Sequence, residues 1–252
     1  MKIKLIYSVT VLLMIYQSCL YGQVTDSIPE KKENKTTDVV LIAIPSAMIT
    51  YGLISLGDNG IRQIDYDVRN SLEKNNRFWT MKSDSYLQFA PAAIAYSLKL
   101  GKVKSAHNLL DMTIIYGLSN ALAGGVVNLA KVGIGRERPD HSNNLSFPSG
   151  HTQTAFVAAE FLYQEYKDKS IWIGVGGYSI ATFVGISRIY KDRHWVSDVI
   201  TGAGVGILST KAIYFIYPYL QKQFGKKGQP LNAVILPGYS DGNVNLAFSY
   251  SF

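Results

Sequence analysis

Cysteine is almost missing from this sequence: Cys19 is the single one among 252 residues. That excludes a disulfide framework and a thiolate-ligated zinc cluster. Charge is scarce too, at 17% of residues, where soluble domains carry about a quarter. Histidine is confined to His107, His141, His151 and His194, so imidazole chemistry has only four addresses. The net charge of +7 is spread along the chain with no run of five basic residues. A polybasic tail is therefore absent, and nucleic acid is not an expected partner. What remains is 47% apolar, too much for a disordered chain and enough for a sizeable core or a lipid-facing surface.

The apolar residues fall into segments. Lys2 and Lys4 precede an apolar stretch from Leu5 to Ile15, then small and polar residues through Ser18 and Gly22. This is the order of a secretory signal, so residues 1–22 are expected to be a signal peptide or an N-terminal anchor. Cys19 lacks the aliphatic neighbour of a lipoprotein site. Residues 23–37 form a polar linker. Val39 to Leu56 then carries no charge over eighteen residues, long enough to be a candidate span. Asp58 to Asp84 carries Arg62, Asp65, Asp67, Arg69, Glu73 and Lys74, and reads as a solvated amphipathic helix. Five more apolar segments follow: Tyr86–Leu100, Leu109–Ala130, Thr152–Tyr166, Ile171–Ile186, and Val199–Tyr217 with Lys211 inside it.

Six long helical segments without strand–helix alternation predict an all-α, six-helix bundle over residues 38–221. Residues 222–252 differ. Leu231–Leu236 and Val244–Phe252 flank Ser240-Asp241-Gly242, which predicts a short β-hairpin-like tail.

Three polar clusters interrupt the pattern at expected helix ends. Lys131 and Arg138 are seven residues apart, two turns if the helix continues, and two cations on one side suit a phosphate. Pro148-Ser149-Gly150-His151 opens a helix. Ser149 is placed to cap it, its first N–H groups with the dipole suit an anion, and Gly150 admits close approach. His151 stands beside that anion, placed to move a proton. In the third cluster Arg188 precedes His194 and Asp198, which are one helical turn apart. The carboxylate can there accept from one imidazole nitrogen and leave the other as nucleophile. The clusters supply two histidines and one nearby carboxylate amid three cations, and cations repel a divalent metal and attract phosphate, so no metal and no cofactor are expected.

In order and spacing these clusters, Lys131 to Arg138-Pro139, Pro148 to His151, and Ser187-Arg188 to His194 and Asp198, resemble the signature of the type 2 phosphatidic acid phosphatase superfamily. That superfamily also includes vanadium haloperoxidases. The resemblance implies a six-helix phosphatase bundle with His194 as nucleophile, Asp198 orienting it, and His151 as acid and then base. Lys131, Arg138, Ser149, Gly150 and Arg188 would bind the phosphoryl oxygens. The eight residues between Pro139 and Pro148 are short for the family and leave little room for a lid.

The implied function is a metal-independent cell-envelope phosphatase acting through a phosphohistidine. The apolar bundle favours a phosphorylated lipid: lipid A first, then undecaprenyl diphosphate or a phosphatidate. A soluble periplasmic acid phosphatase for small phosphomonoesters is the alternative, and a haloperoxidase binding vanadate or a non-catalytic phosphate binder is less favoured. The expected partners are the lipid substrate and the membrane, with no obligate protein partner indicated. All three clusters lie at one end, and the opposite connectors carry Lys99, Lys102, Lys104, Lys167, Lys169, Lys222, Lys226 and Lys227. Their charge points to a membrane protein with a periplasm-facing site. A cleaved signal followed by one crossing at Val39–Leu56 would place the site inward; the periplasmic orientation is the expectation kept.

Overall fold

The structure is a computed structural model that describes residues 35–79, 84–224, 232–240 and 243–251. The signal segment and most of the linker lie outside the described residues. Eight helices are described: α1 Lys35–Ile54, α2 Gly60–Lys74, α3 Asp84–Leu87, α4 Ala90–Leu100, α5 Leu109–Ile134, α6 Gly150–Tyr166, α7 Ile171–Tyr190 and α8 Val196–Phe224. The six expected segments are α1 and α4 to α8; α2 is the amphipathic helix and α3 a single turn. Strands β1 Asn232–Ser240 and β2 Asn243–Ser251 pair antiparallel, with Ile235 opposite Phe248. This is the expected hairpin, with longer strands than the apolar runs alone suggest.

Helix starts follow their sequence. Asn59 accepts from the Ile61 and Arg62 N–H groups, Asn108 from Asp111, and Ser170 from Trp172. Each side chain satisfies a donor that the first turn leaves open. Helix α6 lies at the centre, against α4, α5, α7 and α8, and nearly every residue from Thr152 to Leu162 is buried.

Glycine allows the closest approaches. A Cβ on Gly202 of α8 would lie 2.5 Å from the Ser149 carbonyl oxygen, and one on Gly206 2.6 Å from that of Gln153. The start of α8 therefore touches the backbone of α6. Outward, the bundle is apolar: Ile42 and Ile44 on α1, Leu129 and Val132 on α5, Trp172 on α7 and Phe215 on α8 are exposed. Leu109–Ile134 and Val196–Lys222 are long and apolar enough to cross a membrane.

Two expectations change. The helix carrying Lys131 does not run on to Arg138: it ends at Ile134, and Gly135 takes a left-handed φ of 62°. That backbone suits glycine and turns the chain out of the helix. The second concerns α2, which is amphipathic but not simply solvated. Its Asp65 is 1% exposed and reaches into the core of the site end.

Candidate active site

The site forms where the C-termini of α5 and α7 meet the N-termini of α6 and α8. Lys131 sits in the last turn of α5. Its Nζ donates to the Leu145 carbonyl at 2.6 Å, and its Cε lies 4.0 Å from where a Cβ on Gly150 would be. Arg138, in the loop beyond Gly135, donates from Nε to Asn143 Oδ1 at 2.9 Å and reaches the Arg193 carbonyl at 3.5 Å. Arg188, near the end of α7, is buried. Lys131, Arg138 and Arg188 lie within electrostatic range of one another, and Lys131 and Arg138 also of Asp198. Thus the cations are brought together by tertiary structure rather than by one helix face.

Ser149 takes the N-cap position of α6 with extended backbone, but its side chain caps no N–H. Its hydroxyl pairs instead with Thr152 Oγ1 at 2.9 Å, and its own N–H donates to the Asp198 carbonyl at 3.0 Å. The capping expected from sequence is thus not made. His151 is the second residue of α6 and half-buried.

His194 is not on a helix with Asp198, as the four-residue spacing suggests. It lies in the turn before α8, 2% exposed, and Asp198 is the third residue of α8. Its Nδ1 lies 2.8 Å from the Ser146 carbonyl and 3.6 Å from Asp198 Oδ2. A carbonyl only accepts, so Nδ1 carries the proton and Nε2 keeps its lone pair. The expected direct bond to Asp198 is replaced: at 3.6 Å the carboxylate acts by charge, and the carbonyl sets the tautomer. Burial pushes the His194 pKa from 6.5 down to about 4, with Asp198 opposing the shift and Lys131 and Arg138 adding to it. The imidazole is therefore neutral at pH 7.

Asp198 is held by groups the sequence reading did not select. Oδ1 accepts from Arg136 Nη1 at 2.8 Å. Oδ2 accepts from the Ser146 hydroxyl and from the Trp195 N–H at 3.0 Å, the reach-back contact of a capping box. Arg136 also donates to Ser197 Oγ at 2.7 Å and, from Nη2, to Asp65 Oδ2 at 2.8 Å. Asp65 closes the ring by accepting from the Ser197 N–H at 2.9 Å and from its hydroxyl. Arg136 spans both carboxylates with its planar fork, a geometry that lysine lacks. It also lies 5.5 Å over the Trp195 ring. Helix α2 adds Arg69, whose Nε donates to Asp192 Oδ1 at 3.1 Å in the turn that leads to His194. Arg136 was within reach of the sequence, inside the Lys131–Arg138 interval; nothing local marks Asp65, 71 residues earlier.

Residues 112–222 match the family model of the PAP2 superfamily. A lipid A 1-phosphatase of Porphyromonas gingivalis is 37% identical over 174 residues, which cover 69% of this chain and 37% of that protein. A phosphatidylglycerophosphatase B of Bacillus subtilis is 36% identical over 112 residues, covering 39% of this chain and 53% of that protein. The chain thus spans about a third to a half of the length of these two relatives. The crystal structure of a transmembrane PAP2-type phosphatidylglycerolphosphate phosphatase from Bacillus subtilis superposes with a TM-score of 0.47 at 21% identity, over 74% of this chain and 99% of that one.

Proposed function

Residues 112–222 are a PAP2 superfamily domain, and from that premise we propose that this protein is a phosphatase for phosphorylated lipids, working without a metal through a phosphohistidine on His194. The observation that carries it is His194 itself: buried, its Nδ1–H tied to the Ser146 carbonyl, its pKa pushed down to about 4, and three cations close by. A histidine so held is an unprotonated nucleophile at neutral pH. In this reading Nε2 attacks phosphorus and the bond to the leaving oxygen breaks, with His151 supplying that oxygen's proton. His151 then takes a proton from water, the water attacks phosphorus, and inorganic phosphate leaves as the N–P bond breaks. Lys131, Arg138, Arg188, Ser149 and the Gly150 N–H hold the phosphoryl oxygens, and cations with helix dipole offset the charge that develops. Asp198 stabilises the imidazolium from 3.6 Å.

The exposed apolar belt and the two long apolar helices support a lipid substrate at a membrane. Lipid A is the preferred candidate, on the name of the Porphyromonas relative; undecaprenyl diphosphate and phosphatidate follow. A phosphatase unit over 38–221, a targeting segment at 1–22 and a periplasm-facing site complete the proposal. The lysine-rich opposite connectors support that orientation. The test is turnover of these lipids by the full chain in detergent, with excess chelator and with vanadate. Activity should survive the chelator and fall with vanadate, and an alkaline denaturing quench should trap a phosphoenzyme that acid then hydrolyses. Loss to chelator restored by divalent ions overturns the metal-free assignment.

A further inference from the structure

Away from the motifs, a cavity of about 710 Å³ lies between α1, α6, α7 and α8. Its size suits a ligand. One wall is the face of α7 from Ile171 to Ile186, and Ile44 of α1 stands opposite. Ile186 is two residues before Arg188, so one end of the cavity lies within about 3 Å of the level of the proposed phosphate site along the axis of α7, on another face of that helix, and the cavity runs away from that level. The lining is mostly apolar, with the hydroxyl residues Tyr163, Ser179 and Thr182 and one charged cluster in it. Glu160, fully buried, accepts from Lys211 Nζ at 2.8 Å, from Gln164 Nε2 at 2.6 Å and from the Tyr178 hydroxyl. Glu160, Tyr178 and Lys211 all line the cavity.

An ion pair inside an apolar bundle is costly, and ionisable groups at such depth usually mark a ligand path. The ammonium of Lys211 has three protons. Among the described residues its polar partner is Glu160, one acceptor for three protons. The Tyr178 hydroxyl spends its proton on Glu160 and keeps an oxygen able to accept. A donor and an acceptor side by side fit a hydroxyl, which both accepts and donates. A methylene chain at that place would leave the ammonium unsatisfied. Tyr178 lies ten residues before Arg188, about 15 Å along the helix.

We propose that this cavity takes an acyl chain of the phosphorylated lipid, and that Lys211 and Tyr178 select a chain carrying a hydroxyl about 15 Å from the phosphate. The proposal rests on the lipid phosphatase reading and adds a substrate feature that the motifs do not specify. It is tested with 1-acylglycerol 3-phosphates in detergent micelles. One carries a plain stearoyl chain; the others carry a single hydroxyl near the ester, at mid-chain or near the methyl end. For the wild type, kcat/KM should be about tenfold higher for the mid-chain hydroxyl than for the plain chain, the worth of about one net hydrogen bond. In Tyr178→Phe and in Lys211→Met the ratio should fall toward one. The ratio is internal to each variant, so partial loss of folded enzyme cancels. Lys211→Met leaves Glu160 without its cation; if it does not fold, Tyr178→Phe carries the test. Equal rates for all chains in the wild type, or a preference untouched by Tyr178→Phe, overturns the proposal and leaves the lipid reading standing. Turnover of aryl phosphate with none of any lipid overturns both.

Discussion

Two histidine–carboxylate pairs stand at opposite ends of the bundle, and they are built for different work. At the site end, His194 is buried, its Nδ1 is 3.6 Å from Asp198, and the carboxylate is held by Arg136, Ser146 and Trp195. At the far end, His107 Nδ1 lies 2.8 Å from Glu165 Oε1, with the His107 N–H donating to Oε2 and Tyr214 to Oε1. That second pair is a clasp. It ties the connector between α4 and α5 to α6 and α8, and Lys99 donates to the His107 carbonyl rather than facing an open anion site. The pairing of residue types does not separate the two; the surroundings do. Three cations gather at one end, whereas hydrogen bonds already made close the other.

Substitution at the two histidines gives the widest separation. His194→Ala should lower phosphate-ester turnover by roughly ten-thousand-fold or more, because the covalent step is lost. Steady-state rates on aryl phosphate check it, and near-normal activity would place the nucleophile elsewhere. Next comes His151→Ala, with a loss of roughly a hundred- to ten-thousand-fold on lipid phosphates and less on an aryl phosphate, whose leaving group needs little protonation. That variant should accumulate phosphohistidine on quenching; equal losses with both leaving groups and no trapped intermediate would reduce His151 to phosphate binding.

Arg136→Lys tests how the site end is held. A single ammonium cannot span Asp65, Ser197 and Asp198, so kcat should fall by about a hundredfold with KM little changed. A pure folding defect would instead lower the amount of active enzyme at unchanged kcat per phosphoenzyme formed.

The pH dependence follows from His194. The unfolded chain takes up this proton near pH 6.5 and the folded one only near 4. Between those values the unfolded state binds more protons, so stability falls as pH drops from 6.5 to 4, by at most about 3 kcal/mol. Chemical denaturation across that range should show the slope in the wild type and lose it in His194→Gln.

The smallest effect on turnover belongs to the far end. His107→Ala should leave aryl phosphate rates within about twofold while costing roughly 1–2 kcal/mol of stability, because Glu165 loses a buried partner. A large loss of kcat there would erase the distinction between the two ends.

Periodicity alone made the bundle legible. Uncharged runs of helical length stand between polar connectors, whereas the cap expected at Ser149 is not made and side-chain caps form at Asn59, Asn108 and Ser170. The tail hairpin was equally local, two apolar runs around Asp241-Gly242. The site was legible as an inventory, since Lys131, Arg138, Ser149, Gly150, His151, Arg188, His194 and Asp198 stand in a recognisable order. Their contacts were not. Helical spacing suggested a His194–Asp198 hydrogen bond, but His194 precedes the helix and the Ser146 carbonyl accepts from its Nδ1–H.

By itself, then, the sequence determined the helices, the apolar outer face and the inventory of residues proposed for phosphate, because propensity and periodicity act within a few residues. Tertiary structure alone decided what the carboxylate is for. Asp65 comes to Arg136 across 71 residues, and Glu160 meets both Tyr178 and Lys211 from three helices. Such pairings depend on how close glycines such as Gly202 and Gly206 let the backbones approach, and no local pattern records that distance.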